Sequence, residues 1–265
     1  MFQIALLNKD LELLKLINSY FGNVGVIVNS KSRQSNMCAL RVSSIEQIVL
    51  KIFTHFDTYP LITKKHADYL LFKDLIMKMV QKDHLKKEKL QDFVNIKASL
   101  NLGLSELLKS EFSNTIPVPR PQFKLPEIPN PDWVAGFTTG DGCFFVHIKK
   151  GRNKCGIGVS LYFQITQHKR DEELLKSFIT YFKCGNYTIH KSKNYGHFLC
   201  TKFEDNYNKI IPFFSQYLIR TTKYNDFLDW VKVAEIMYQK KHLTKEGSSE
   251  IIKIKKGMNT GRVDV

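Results

Sequence analysis

Apolar and polar side chains alternate strictly in residues 158–166, and in residues 144–150 the apolar Phe144, Val146 and Ile148 alternate with the polar His147 and Lys149, as in β-strands that are buried on one face. Successive side chains of a strand point to opposite faces, so one face of this predicted sheet packs on helices and the other meets solvent. Residues 171–182 instead carry apolar side chains at helical spacing and predict an amphipathic helix. The C-terminal region predicts two further helices, at residues 223–239 and 250–258.

The chain contains an internal repeat. Residues 2–22 resemble residues 163–185, and residues 63–85 resemble residues 221–243 at nearly the same separation. Two copies of this length indicate a duplicated domain, because a solenoid stacks several short repeats. The second copy predicts the element order αββαββαα, and the first copy follows that order from its second strand onward.

A proline-rich segment separates the two copies. Residues 114–131 hold six of the eight prolines, which excludes a regular helix or a central strand there. We therefore predict an N-terminal repeat at residues 1–112, an extended linker at residues 113–131 and a C-terminal repeat at residues 132–265.

The charge of the chain points to a polyanionic partner. The net charge is +15 and the pI is about 9.5, which makes nucleic acid the leading candidate and a membrane surface the alternative. No apolar run approaches the ~20 residues that a membrane-spanning helix needs. The five cysteines are scattered without a CxxC pair, which favours a reducing compartment and argues against a structural zinc site.

One short motif carries specific chemistry. Residues 134–142, VAGFTTGDG, place the small residues Ala135, Gly136 and Gly140 where they would let a second helix approach closely. Asp141 follows at the helix end, between two glycines, where a carboxylate can reach a hard divalent cation and a phosphate. An ordinary buried helix with a glycine-rich C-terminus is the alternative.

This motif, the flanking hairpin and the duplicated blocks resemble the LAGLIDADG homing endonuclease family over nearly the whole chain. The resemblance implies an α+β, pseudo-twofold duplicated fold with two antiparallel four-stranded sheets that form a DNA-binding saddle. It also implies hydrolytic DNA cleavage with Mg²⁺ or Mn²⁺, held by one acidic residue from each of two signatures. No first signature precedes Phe2, so the N-terminal repeat is expected to lack its signature helix and first strand.

The resemblance also assigns roles to individual residues. Asp141 corresponds to a metal-binding, catalytic acid. Gln167 resembles a residue that helps to place the attacking water, and Lys223 resembles a basic residue near the scissile phosphate, with Lys65 as its counterpart in the first copy. For Lys223 the alternative is a surface position at the start of a helix.

The polar faces of the predicted strands supply candidates for DNA contact. Amide, hydroxyl and imidazole groups suit base edges, and lysine and arginine suit phosphates. The candidates are Gln3, Lys31, Arg33, Arg41, His147, Lys149, Tyr162, Gln164, Thr166, His190, Lys191, Lys193 and Lys202.

Three functions remain open at this point. The first is an intron-encoded, sequence-specific DNA endonuclease that binds double-stranded DNA as a monomer, with a homodimer through the single signature helix as the alternative. The second is a maturase that binds its host intron RNA and assists splicing. The third is a catalytically inactive DNA-binding remnant. The usual habitat of the family predicts an organelle, the mitochondrion first and the chloroplast as the alternative.

Overall fold

The structure, a computed structural model, describes residues 1–29, 36–123, 127–151, 156–190 and 192–262. The chain forms two compact units, Met1–Leu125 (the first unit) and Pro126–Val265 (the second unit). Each unit contains one antiparallel sheet and several helices, so the predicted α+β class is confirmed. None of the described helices is long and apolar enough to cross a membrane.

The first unit has a sheet of three strands among its described residues, in the order β1-β3-β2. The strands are β1 (Phe2–Leu7), β2 (Val26–Asn29) and β3 (Met37–Val42). The helices are α1 (Leu11–Tyr20), α2 (residues 45–58), α3 (Lys65–Val80), α4 (Leu90–Ser99) and α5 (Glu106–Glu111). Three strands agree with the prediction that the first copy begins at its second strand.

The described part of the second unit has the predicted four-stranded sheet, and its strands lie in the order β4-β5-β7-β6. Helix α6 (Pro131–Asp141) runs directly into this sheet. The strands are β4 (Gly142–Lys150), β5 (Ile157–His168), β6 (Asn186–Ile189) and β7 (Tyr195–Cys200). The other helices are α7 (Glu172–Phe182), α8 (residues 203–216), α9 (Lys223–Tyr238) and α10 (Lys245–Lys256).

Aromatic side chains fill the core of the second unit. Phe144, Phe163, Phe214 and Trp230 are fully buried, and the Phe144 ring lies 5.0 Å from Phe163 and 5.3 Å from Trp230. Each such side chain contributes roughly 1.5–3 kcal/mol by leaving water. Phe144 and Phe163 come from the buried parity of β4 and β5, which confirms the predicted alternation, and Phe214 and Trp230 come from α8 and α9.

Two helices differ from the sequence prediction. Helix α8 was not predicted. It contains Pro212, and a wide, π-type turn at residues 206–210 precedes this proline and accommodates its missing N–H. Helix α10 begins five residues earlier than predicted, at Lys245 rather than 250. The Thr244 side chain accepts a hydrogen bond from the Gly247 N–H at 3.1 Å, which offsets the poor helix propensity of the glycine and serines that follow.

The described part of the linker packs along the first unit. Residues 115–123 form neither helix nor strand, and the Val118 N–H donates to the Asn95 carbonyl oxygen of α4 at 3.3 Å. Arg120 donates to the Asp68 carboxylate at 2.8 Å. The extended conformation is therefore held by specific bonds. The exact boundaries of the repeats and linker stay a prediction.

Candidate active site

Asp141 is the last residue of α6 and is exposed. The helix begins at an Asn130 cap, whose side-chain oxygen accepts from the Trp133 N–H at 2.7 Å. Strand β4 starts at the next residue, Gly142, with no intervening loop. A Cβ on Gly142 would lie 2.4 Å from Thr138 Cγ2 and 2.7 Å from its carbonyl oxygen, so only glycine permits this direct passage. The acid therefore stands at a sharp helix-to-strand corner.

Gln167 is brought to this corner by strand β5. It has the same parity as the buried Ile165, so it belongs to the helix-facing side of the sheet and not to the solvent face. Its Nε2 donates to Asp141 Oδ2 at 2.6 Å. Two residues that the sequence singled out separately are thus in direct contact, and the amide orients the carboxylate.

Lys223, the first residue of α9, binds the end of α6. Its Nζ donates to the carbonyl oxygens of Thr138, Thr139 and Gly140 at 3.0, 2.7 and 3.1 Å. An ammonium group has three donors, and a cation at a helix C-terminus also interacts favourably with the helix dipole. Lys223 therefore anchors the helix that carries Asp141. Its predicted place near a phosphate stays a prediction.

We expect Lys223→Met to destabilise the second unit by about 1–3 kcal/mol, because three helix-end carbonyl oxygens lose a charged donor. Chemical denaturation followed by tryptophan fluorescence measures this, since both tryptophans, Trp133 and Trp230, lie in the second unit. Lys232→Met on the same helix is the matched control, because the side chain of Lys232 is exposed and forms an ion pair with Asp229 that contributes little to stability. Equal stability of the two variants would contradict the anchoring role.

The donors at this corner fit a cation that is shared with a substrate. Among the described residues no group of three or more His, Cys, Asp or Glu side chains could enclose a metal ion. Mg²⁺ is commonly bound by one or two carboxylates together with water and substrate phosphates. The exposed Asp141 carboxylate suits that mode, in which phosphate oxygens complete the coordination.

Lys65 is the counterpart of Lys223 in the first unit. It is exposed at the start of α3 and lines a cavity of about 410 Å³ beside β1. Its predicted catalytic role stays a prediction.

The predicted helix-interface residues fall into two groups. Gly136 and Gly140 are exposed, lie one helical turn apart on one side of α6, and a Cβ on either would meet nothing within 4 Å. Ala135 is buried, with an exposed fraction of 4%. The two glycines thus form an open strip, and their predicted pairing with a second helix stays a prediction.

The solvent face of the second sheet carries the predicted polar side chains of β4 and β5. His147 lies opposite Ser160, and its ring lies 5.4 Å from that of Tyr162. On β5, Gln164 Nε2 donates to Thr166 Oγ1 at 2.9 Å. Lys149 is exposed near the far end of β4. Period two thus placed this set correctly on one face.

His197 belongs to the same face and was missed by the sequence analysis. It lies opposite Thr166 on β7, and its Nδ1 is 2.9 Å from Thr166 Oγ1. Partial burial lowers the pKa of His197, and the nearby His190 adds to this shift. The signal was available, since His197 precedes the buried Phe198 and must point the other way.

The remaining candidates for DNA contact are distributed more widely. Gln3 and Arg41 are exposed, paired across β1 and β3, and joined by a hydrogen bond of 3.0 Å. Lys193 lies over the Tyr195 ring, and Lys202 stands at the start of α8, beyond the strand that was expected to carry it. His190 Nδ1 accepts from the Ser192 N–H at 3.3 Å. Outside the described residues lie Lys31, Arg33 and Lys191.

The sequence matches the family described as LAGLIDADG endonuclease over residues 1–76 and 134–234. It is 38% identical to "Probable intron-encoded endonuclease 2" of Neurospora crassa over 97% of this chain and 57% of the relative. A second protein of that fungus, "Probable intron-encoded endonuclease 3", is 38% identical over 94% of this chain and 46% of the relative. The chain thus spans about half the length of these curated relatives. A cox1 intron-2 protein of Schizosaccharomyces pombe is 36% identical over 47% of this chain and 36% of the relative.

Solved structures agree with this match. The crystal structure of the I-SmaMI LAGLIDADG homing endonuclease bound to cleaved DNA has a TM-score of 0.95 and 43% identity, over 99% of this chain and 87% of that one. I-SmaMI bound to uncleaved DNA in the presence of calcium ions has a TM-score of 0.93 and 44% identity, over 97% of this chain and 87% of that one. The chain belongs to the LAGLIDADG endonuclease family.

Proposed function

We propose that this protein is an intron-encoded, sequence-specific endonuclease that hydrolyses double-stranded DNA with a divalent metal ion. The observation that carries the proposal is the contact between Asp141 and Gln167 at the corner where α6 enters the polar-faced sheet. At that corner the Asp141 carboxylate, which suits a hard cation, lies at the start of the sheet whose polar face suits a nucleic acid. The DNA-bound I-SmaMI structures support the same substrate class.

Three residues of this chain have different roles in the proposed reaction. Asp141 holds the metal ion, which stabilises the charge that develops on the scissile phosphate and activates water when bound. Gln167 fixes the carboxylate through one amide hydrogen, and its second hydrogen is suited to orienting a water molecule. Lys223 holds the helix end, so the acid keeps its position when DNA binds. We propose Mg²⁺, or Mn²⁺, as the working ion, since both accept oxygen ligands.

Cleavage of a plasmid that carries the intronless target tests the proposal directly. We expect cutting with Mg²⁺ and none with an excess of EDTA, while the uncut target still binds. If the target is bound but never nicked with Mg²⁺ or Mn²⁺, the chain is a DNA-binding remnant or serves intron RNA, and the proposed hydrolysis is wrong.

DNA binding should show two separable contributions. We expect Lys149→Ala to weaken binding to all sequences alike, because the ammonium contacts a phosphate. The slope of the logarithm of affinity against the logarithm of salt concentration should become smaller by about one. We expect Gln164→Ala to cost about 1–3 kcal/mol at particular base pairs only, because its amide contacts a base edge. Binding of both variants to a library of target variants, at several salt concentrations, measures this. Identical profiles would contradict the assignment.

We further propose that the protein acts as a monomer in mitochondria. Both repeats are present in one chain, so a single copy supplies two sheets. The location rests on the S. pombe relative, which takes its name from an intron of cox1, a mitochondrial gene. Gel filtration and organelle fractionation test these two statements.

A further inference from the structure

Two cysteines of the second unit are in contact at the end of β7. Cys200 is the last residue of that strand, and Cys184 lies in the turn that leads from α7 to β6. The two Sγ atoms are 3.8 Å apart, and the Cys200 thiol donates to Cys184. Sulfur atoms in a disulfide are about 2.0 Å apart, so a shift of about 1 Å in each would allow a bond between them.

Packing alone does not require thiols at these two positions. The first unit carries Val24 at the equivalent of Cys184, since each residue stands directly before a glycine that precedes a strand. It carries Val42 at the equivalent of Cys200, since each residue ends the third strand of its repeat as the repeat is described here. The two valines belong to one hydrophobic cluster. Apolar side chains therefore satisfy the packing in the first unit, and the pair of thiols adds chemistry that packing does not use.

The two sulfur atoms differ in access and in acidity. Cys184 keeps an exposed fraction of 8% and follows the exposed Lys183, whereas Cys200 is completely buried. The hydrogen bond from Cys200 lowers the pKa of Cys184, and the Lys209 ammonium acts in the same direction, against burial and the Asp205 carboxylate. The same hydrogen bond, together with burial, raises the pKa of Cys200. Because a thiolate is the reactive form of cysteine, Cys184 should react first.

We propose that Cys184 and Cys200 are a modification site, at which a peroxide oxidises the two thiols to an intramolecular disulfide. The Cys184 thiolate attacks one oxygen of hydrogen peroxide, the O–O bond breaks, and hydroxide leaves and takes up the proton that the thiol released. The Cys200 sulfur then attacks the sulfenic acid on Cys184, and the S–O bond breaks as the hydroxyl group leaves with the Cys200 proton. Two thiols thus give two electrons to the peroxide, and two molecules of water form.

The disulfide closes a loop around the hairpin of β6 and β7. Residues 184–200 lie within this loop, and they include His197 of the polar sheet face. A cross-link removes open conformations of the enclosed segment and so stabilises its folded form. The proposal rests on the contact between the two sulfur atoms and is independent of the proposed nuclease activity.

Peroxide treatment of the full, folded chain tests the proposal. The reduced protein is treated with hydrogen peroxide without denaturant, the remaining thiols are alkylated, and the chain is cleaved with trypsin, which cuts after lysine and arginine. We expect residues 184–191 and 194–202 to be recovered as one linked pair, which dithiothreitol separates. We expect the second unit to melt about 5 °C higher after oxidation, and dithiothreitol to reverse the shift.

Three variants test the roles of the two sulfur atoms. Cys200→Ser should give no linked pair and should leave a sulfenic acid on Cys184, which dimedone labels. Cys184→Ser should leave Cys200 unlabelled, because its thiol is buried and stays protonated. Cys143→Ser is the matched control, since Cys143 donates to Asn259 and not to a second thiol, and it should keep both the linked pair and the melting shift.

The unchanged protein alone can overturn the proposal, even if a variant does not fold. A linked pair that forms only after unfolding, a disulfide that joins two chains on a non-reducing gel, or oxidation without any linked pair would each show that the contact is only packing. Equal labelling of Cys184 and Cys200 by dimedone in the two serine variants would contradict the order of reaction.

Discussion

Asp141→Asn is expected to lower the rate of DNA cleavage by at least about a thousandfold, because a neutral amide no longer provides a charged ligand for the metal ion or stabilises its charge. Target affinity measured in EDTA should stay within about threefold, since one exposed carboxylate contributes little to a surface that owes its affinity to many cations. Single-turnover cleavage and equilibrium binding on the same duplex separate the two quantities.

Asp132→Asn is the matched control for this experiment. Asp132 lies in the first turn of the same helix, is exposed, and undergoes the same change of charge at the other end of α6. It should cleave at the rate of the unchanged protein. If Asp141→Asn reduced binding and cleavage by the same factor, or lowered the melting temperature, Asp141 would be a structural residue.

Phe144→Ala is expected to reduce the free energy of unfolding of the second unit by about 3–5 kcal/mol, the usual cost of a large cavity in a packed core. The ring has an exposed fraction of 0% and contacts four other aromatic rings, which cannot all move inward. Denaturation followed by fluorescence of Trp230, one of those four neighbours, reports the loss.

The adjacent Phe145→Ala is the control for this loss. Phe145 points to the opposite face of β4, is only partly buried, and lies 4.9 Å from the Tyr162 ring. We expect a cost below about 1.5 kcal/mol for that variant, since a partly buried pair of rings loses mainly its stacking. A larger cost at residue 145 than at residue 144 would mean that the assigned faces of the sheet are reversed.

Much of the second unit could be predicted from local sequence patterns. Period two placed Phe163 in the core and Gln164 on the solvent face, because the pleat of a strand leaves no other choice. The same alternation, continued two residues beyond Ile165, indicates that Gln167 faces the helix layer. Combined with the hairpin that pairs Gly142 with Ile165, it brings Gln167 near Asp141. The contact between Gln167 and Asp141 could therefore have been predicted from the sequence, although only the two residues were identified and not their contact.

Other features depend on tertiary contacts that no local pattern contains. The bonds from Lys223 to the end of α6 join residues more than eighty positions apart. A lysine at a helix start looks the same in sequence whether it binds carbonyl oxygens or phosphate. Helix α8 was also not predicted, and it contains Pro212 directly after a wide, π-type turn.

The direct passage from α6 into β4 has a mechanical consequence. Because no loop separates α6 from β4, Asp141 is directly connected through Gly142 to the strand that carries His147 and Lys149. A bend imposed on the strand by a distorted or mismatched duplex is transmitted to the acid within a few residues. Fidelity in such an arrangement can arise after docking, because a poorly fitting duplex displaces the group that must meet the phosphate.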